Sequence, residues 1–174
     1  RVRSAVIVCS SAPPRVLPDP ETRRKAAAER GEAARRGGMA SVVDAFLRRC
    51  FTAYAIRSEH PGVVYARARI LAIDPNAFAD IYLTGGISEP IRPEQLAAIK
   101  QPVTLVAGIH DQAAGVAGPA ELHRLIPNSR LEVVPGPHML HLEQPHNLAG
   151  AVGRHMMWAP IGNRVEAPLG SAGG

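Results

Sequence analysis

Three histidines lie within nine positions in the segment VVPGPHMLHLEQPH (133–146) of this 174-residue chain. His138, His141 and His146 could form a metal site, or one of them could be a catalytic base with two bystanders. The sequence does not favour a metal, because the H-x-x-H spacing has no partnering cysteine and no cluster of carboxylates. We therefore predict no metal and consider His138, which directly follows a strand-like segment, as the candidate base.

Asp111 is the second candidate, in the segment VAGIHDQ that ends the preceding strand-like run. Ligand chemistry in open parallel sheets lies at the carboxyl ends of the strands, and neighbouring strands are about 5 Å apart. A buried carboxylate that accepts the Nδ1–H bond of an imidazole fixes its tautomer and stabilises the imidazolium. On spacing alone, the alternative is that Asp111 caps a turn and His138 is an ordinary loop residue.

Short apolar runs and helical patterns alternate along the chain. Each run has the composition of a strand that is buried on both faces of a parallel sheet. A block of helical patterns separates the first run from the second, and single helices follow the later ones. The sequence predicts an α/β protein with strands at 4–9, 102–107 and 131–134. Its predicted parts are a core strand and connection at 1–19, an inserted helical block at 20–99, an α/β core at 100–158 and a tail at 159–174.

The composition excludes several classes of protein. With 46% hydrophobic and 20% charged residues, the chain can form one ordinary core. The formal charge is +5, but the basic run at 23–36 is interleaved with glutamates and lacks aromatic residues, which favours a solvated helix face over a nucleic-acid site. No apolar stretch is long enough to span a membrane. Two cysteines do not make a disulfide framework, so we predict a reducing, cytoplasmic location.

The sequence resembles the C-terminal part of α/β-hydrolases, most closely the 3-oxoadipate enol-lactonase branch. The most specific pieces are a G-x-x-D loop at 108–111 and an H-x-x-x-L-E-x-P segment at 138–145. The resemblance implies an α/β-hydrolase fold with an inserted helical cap, catalytic roles for Asp111 and His138, and no cofactor. The similar stretches are RVRSAVIVCSSA (1–12), RRGGMASVVDAFLRRCFTAYAIRSEHPGVV (35–64), IKQPVTLVAGIHDQAAG (99–115) and IPNSRLEVVPGPHMLHLEQPHNLAGAV (126–152).

One part of the family pattern has no counterpart in this chain. Such hydrolases carry the nucleophilic serine in a G-x-S-x-G elbow that precedes the Asp and the His in sequence. Ser10, Ser11, Ser41 and Ser88 all lack the flanking glycines. The chain starts without Met at RVRSAVIV, which resembles the strand that follows the nucleophile helix. We therefore expect an N-terminal companion chain that carries G-x-S-x-G.

The substrate is expected to be a small acyl compound, namely an ester, a lactone or a thioester. Lactonases of this branch carry an arginine in the cap stretch that matches FADIYLTGGISEP, where this chain has Gly85 and Gly86, with Arg92 nearby. This departure puts an enol-lactone substrate in doubt. Five aromatic residues are predicted to line the substrate pocket, or else to form the core of the cap: Phe46, Phe51, Tyr54, Phe78 and Tyr82.

The combined interpretation is the C-terminal chain of a serine hydrolase. Acyl transfer or acyl elimination on the same fold is an alternative chemistry. A non-catalytic binding or scaffold role is the other alternative, because a fold does not guarantee a function.

Overall fold

The computed structural model describes residues 2–10, 20–85 and 91–159, with the side chains of all of these except 20, 23 and 82–85. Nearly all of the connection at 10–19 and of the predicted tail at 159–174 lies outside the described residues. Three strands form one sheet in the order β1-β2-β3, and both pairings are parallel. The strands are β1 (Ala5–Val8), β2 (Val103–Gly108) and β3 (Ser129–Val134).

Each strand falls on a segment that the sequence predicts to be a strand, with ends that differ by at most two residues. The central strand β2 is buried along its whole length, as its uninterrupted apolar sequence requires. The four residues of β1 are each only partly buried. Within the described residues, β1 pairs with β2 alone, so its other edge has no strand beside it.

A block of helices separates β1 from β2 in sequence. Prolines at the first helical position begin several of these helices, where their lack of an N–H costs nothing. Asp74 caps one of them by accepting hydrogen bonds from the backbone N–H groups of Asn76 and Ala77. The helices are α1 (Pro20–Gly37), α2 (Ala40–Cys50), α3 (Ala53–Arg57), α4 (Pro61–Leu71), α5 (Pro75–Gly85) and α6 (Pro93–Ala97).

Three further helices complete the described part: α7 (Ala117–Leu125), α8 (Leu140–Glu143) and α9 (Pro145–Trp158). Helix α7 packs through Leu122 on the face of the sheet that presents Leu105. Helix α9 packs through Ala151 on the opposite face, against Val106. Helices on both faces bury β2 completely. The loops that follow the strands contact the cap at the carboxyl ends of the strands. No helix in the described part combines the length and apolar content needed to cross a bilayer.

Candidate active site

Asp111 is fixed in the turn that follows β2. Its Oδ1 accepts hydrogen bonds from the backbone N–H groups of Ala113 (2.7 Å) and Ala114 (2.9 Å). Its own backbone N–H donates to the carbonyl of Gly108 at 3.1 Å. The Asp111 side chain has no exposed surface. The turn-capping role considered from the sequence is therefore real, and it holds Oδ2 toward the next strand end.

His138 meets this carboxylate from the loop that follows β3. Its Nδ1 lies 3.1 Å from Asp111 Oδ2, which is hydrogen-bonding distance. The loop approaches β2 closely, because the backbone N–H of His110 donates to the carbonyl of Gly136 at 3.0 Å. The His138 side chain is 30% exposed. A reactant can therefore reach the imidazole but not the carboxylate behind it.

The cap holds the His138 loop from the other side. The backbone N–H of Met139 donates to the carbonyl of Cys50, at the end of α2, at 2.9 Å. The buried carboxylate of Glu143 accepts hydrogen bonds from the backbone N–H (3.0 Å) and the hydroxyl (2.7 Å) of Thr52. These contacts tie α8, directly after His138, to the start of α3, so the cap contributes to the position of the imidazole.

A cavity of about 770 Å³ lies between the strand ends and the cap. This volume is within the range of small-molecule sites. Its lining combines strand-end residues with residues of α1, α2 and α5. They are Cys9, Ser10, Arg30, Ala33, Ser41, Val42, Ala45, Phe46, Arg49, Cys50, Phe78, Ala113, Ala114 and His138.

The predicted pocket aromatics divide into three groups. Phe46 and Phe78 line the cavity. Phe51 does not line it: this residue is 2% exposed and packs in the core of the cap, which is the alternative that the sequence left open. Tyr54 is 74% exposed in α3 and belongs neither to the described lining nor to the buried core. The side chain of Tyr82 lies outside the described part of the chain.

His141 and His146 are exposed and do not join His138 in a cluster of metal-ligating side chains. Arg92, considered as a substitute for the lactonase arginine, is exposed at the start of α6 and does not line the cavity. Gly85 ends α5, while Gly86 lies outside the described residues.

Sequence reasoning missed three residues of the site: Cys9, Arg30 and Arg49. Cys9 follows β1 directly, so the strand-end rule that selected Asp111 and His138 would also have selected it. Arg49 stands one helical turn after Phe46 on α2, so the two side chains share a face.

Cys9 is not activated as a nucleophile. Burial, opposed in part by a backbone hydrogen bond with Gly108 and reinforced by Asp111, raises the pKa of the Cys9 thiol to about 11. At neutral pH the thiol therefore keeps its proton, whereas reactive cysteines have lowered pKa values.

Solved structures match this fold, although no protein-family model and no curated protein matches the sequence. A thermophilic esterase from Thermogutta terrifontis, solved with malate bound, is 22% identical with a TM-score of 0.79. An enol-lactonase from Burkholderia xenovorans LB400 is 24% identical with a TM-score of 0.75. MGS-M2, an α/β-hydrolase enzyme from a Medee basin deep-sea metagenome library, is 14% identical with a TM-score of 0.70. The chain has the α/β-hydrolase fold.

The fold class predicted from the sequence, the C-terminal half of an α/β-hydrolase with a helical cap, is confirmed. The matches cover 91%, 90% and 94% of this chain but only 57%, 57% and 58% of the three neighbours, in the order given. Because the identities are low, the likeness establishes the α/β-hydrolase fold and not the reaction.

The electrostatics of Asp111 give a testable pH dependence. Burial pushes the pKa of this carboxyl up, but hydrogen bonds from the Ala114 N–H, His138 and the Ala113 N–H outweigh it, so the net pKa lies below the ordinary 3.8. A carboxyl with a lowered folded-state pKa stabilises the fold above its unfolded pKa, and that contribution is lost as the pH falls through the folded value.

We therefore expect the stability of the wild type relative to Asp111→Asn to decrease as the pH falls from about 5 into the acidic range. Urea denaturation of both proteins at a series of acidic pH values measures this difference, in which the titration of groups that do not contact residue 111 cancels. A difference that does not change with pH would contradict the lowered pKa.

Proposed function

We propose that this chain supplies the acid–base pair and the cap of a serine hydrolase that cleaves an ester, lactone or thioester bond of a small acyl substrate. The observation that carries the proposal is the 3.1 Å contact between Asp111 Oδ2 and His138 Nδ1. It stands at the wall of a cavity of substrate size, with the imidazole on the cavity side. This is the arrangement that general-base activation of a hydroxyl requires.

In the proposed reaction, a serine Oγ attacks the acyl carbon while His138 accepts the hydroxyl proton through Nε2. The buried carboxylate of Asp111 keeps Nδ1 protonated and stabilises the imidazolium. Collapse of the tetrahedral intermediate breaks the bond to the leaving group, which takes the proton from His138. A water molecule, deprotonated by the same imidazole, then releases the acid and regenerates the serine. No cofactor takes part in these steps.

The serine is proposed to come from a companion segment with a G-x-S-x-G elbow. In the described part of the chain, no hydroxyl group hydrogen-bonds to His138. The edge strand β1 supports such a partner: its side chains Ala5–Val8 are apolar and only partly buried, and its outer edge is unpaired among the described residues. An apolar strand with a free edge is a ready surface for a further parallel strand.

A serine-directed fluorophosphonate probe, applied to the native preparation, tests the proposal. We expect covalent labelling of a serine on a companion polypeptide, identified by intact-mass measurement, and loss of labelling in His138→Ala. A preparation with no labelled serine and no turnover of simple esters would contradict the hydrolase and leave the scaffold role. Labelling combined with product transfer to an added alcohol, rather than to water, would instead indicate an acyltransferase.

The cavity favours an anionic substrate. Arg30 and Arg49 both line it, together with apolar side chains that include Phe46 and Phe78. A guanidinium group binds a carboxylate through two parallel hydrogen bonds, and apolar walls strengthen that attraction. We propose that Arg49, together with Arg30, takes the substrate-binding role that an arginine has in the cap of the similar lactonases.

We expect Arg49→Gln to lower kcat/KM for a carboxylate-bearing ester by about 10-fold or more, the loss of one charge-assisted hydrogen bond. A neutral ester of similar size should change by less than about 2-fold, because the apolar walls remain. Arg48→Gln is the matched control, since Arg48 is the neighbour of Arg49 on α2 and is likewise exposed but does not line the cavity. Equal losses for both esters would contradict the assignment.

The cytoplasmic location and the lack of a nucleic-acid partner remain predictions. The basic run lies on α1, where Arg35 pairs with Asp80 and Arg36 with Glu32. Pairing of this kind supports the interpretation of the run as a solvated helix face.

A further inference from the structure

The three strands of the sheet place three different metal-ligating side chains at one point. Cys9 follows β1, Asp111 follows β2 and His138 follows β3. One ligand atom from each, a sulfur, a carboxylate oxygen and an imidazole nitrogen, lies within 4.8 Å of the other two. No other group of three or more such side chains among the described residues has its ligand atoms this close together. We propose that Cys9, Asp111 and His138 form a site for a thiophilic divalent cation, with Zn²⁺ as the preferred ion.

The spacing suits tetrahedral zinc. With Zn–S near 2.3 Å and Zn–N and Zn–O near 2.1 Å, the ligand atoms of a tetrahedral site lie roughly 3.3–3.7 Å apart. The oxygen and nitrogen of the Asp111–His138 pair are already 3.1 Å apart. A small outward movement of these two atoms and an approach of the Cys9 sulfur complete the triangle. The cavity beside Cys9 and His138 provides a path for the ion and space for a water molecule as the fourth ligand.

Two of the donors are already fixed. The backbone N–H of Cys9 donates to the carbonyl of Val106 at 2.8 Å, and the residue has a left-handed conformation (φ 49°) that turns the chain at the end of β1. Its Sγ lies 3.7 Å from the carbonyl oxygen of Pro137, directly before His138. Asp111 uses Oδ1 for the backbone of its own turn, which leaves Oδ2 for a cation. Fixed donors reduce the ordering cost of binding.

The donor set selects the ion. A thiolate with an imidazole and a single carboxylate suits Zn²⁺ and Co²⁺, whereas Mg²⁺ and Ca²⁺ require several oxygen ligands. Coordination removes the thiol proton, which passes to solvent. The bound cation occupies the same oxygen and nitrogen that the proton relay uses. Metal binding and hydrolysis therefore exclude each other, so the site is one at which Zn²⁺ inhibits reversibly. The site itself does not depend on the proposed hydrolysis, because its donors are present whether or not a serine is supplied.

Cobalt substitution tests the site without an activity assay. Co²⁺ added to the reduced, chelator-treated protein as purified, with any companion that co-purifies, should give a thiolate-to-cobalt charge-transfer absorption band. That band should persist in Cys50→Ser, the matched control in which the other buried free cysteine is removed. The band should be lost in Cys9→Ser. The Zn²⁺ affinity of this variant, measured by competition, should be about 100-fold weaker or more, since even outer-sphere changes weaken metal affinity by about 10–100-fold.

His138→Ala provides the second variant, and far-UV circular dichroism checks that each variant folds. The His138→Ala protein keeps the thiol but should bind Zn²⁺ at least about 10-fold more weakly. The readout is the displacement of Co²⁺ by Zn²⁺. Absence of a charge-transfer band in the wild type would overturn the proposal. So would a band that survives Cys9→Ser or disappears in Cys50→Ser, because the sulfur ligand would then be the wrong one. Hydrolysis assays play no part in these outcomes, so failure of the metal site and failure of the proposed hydrolase are distinguishable.

Discussion

Asp111→Asn is expected to lower the kcat of the proposed hydrolase by about 10⁴-fold, with a much smaller change in KM. The reason lies in the two separate tasks of the carboxylate. Oδ1 accepts hydrogen bonds from the backbone N–H groups of Ala113 and Ala114, and an asparagine oxygen can replace it there. The asparagine NH₂ group must then face His138 in place of Oδ2. A donor at that point forces Nδ1 to be the acceptor, so Nε2 carries the proton and cannot take one from a nucleophile.

This substitution also decides between the two interpretations of Asp111 that the sequence left open. If Asp111 only caps its turn, asparagine should be nearly neutral, because Asn and Asp cap about equally well. Asp74 offers a matched control, since it accepts from the N–H groups two and three residues later in the same way as Asp111. We expect Asp74→Asn to change kcat by less than about 2-fold. Steady-state kinetics on a chromogenic ester measures both, and an Asp111→Asn enzyme that keeps a tenth of its kcat would contradict the assigned role.

The positions of Asp111 and His138 could be predicted because parallel strands impose them. Strands β2 and β3 lie side by side in register, with Gly108 opposite Val134, so residues that follow them must meet. A short apolar run bounded by Gly or Pro is visible in the sequence, and the end of each run marks the site. Cys9 obeys the same geometry, because β1 lies beside β2 with Val8 opposite Val106.

The substrate-facing residues could not be predicted in this way. Phe46 and Phe51 lie five residues apart, but α2 ends at Cys50 and the chain is extended at Phe51, whose ring packs in the core of the cap. Tyr54 lies in α3, a helix of five residues, which is too short for a periodic pattern to reveal its buried side. Which arginines face the cavity depends on the packing of α1 and α2 around it, and charge patterning along one helix carries no such information.

The close approach of the His138 loop to β2 makes Gly108 a sensitive backbone position near the site. A Cβ added at Gly108 would lie 2.4 Å from the carbonyl oxygen of Gly136 and 2.8 Å from that of Pro137. Both are backbone atoms in a segment that is held by β3 on one side and by the cap on the other. Unlike a clash with the end of a flexible side chain, this one can be relieved only by moving the loop that carries His138.

We therefore expect Gly108→Ala to lower the free energy of unfolding by about 3 kcal/mol, at the upper end of the usual cost of overpacking. Gly153→Ala is the matched control, because a Cβ there meets nothing within 4 Å, and in the interior of α9 it should raise stability by about 0.5–1 kcal/mol. Urea denaturation measures both changes, with an unchanged m-value showing that the transition has stayed the same. Protein that still folds should also lose activity, since the displaced loop moves the imidazole away from Asp111. A Gly108→Ala protein that is as stable and as active as the wild type would contradict the close contact between the end of β2 and the His138 loop. The position of the acid–base pair would then not depend on that contact.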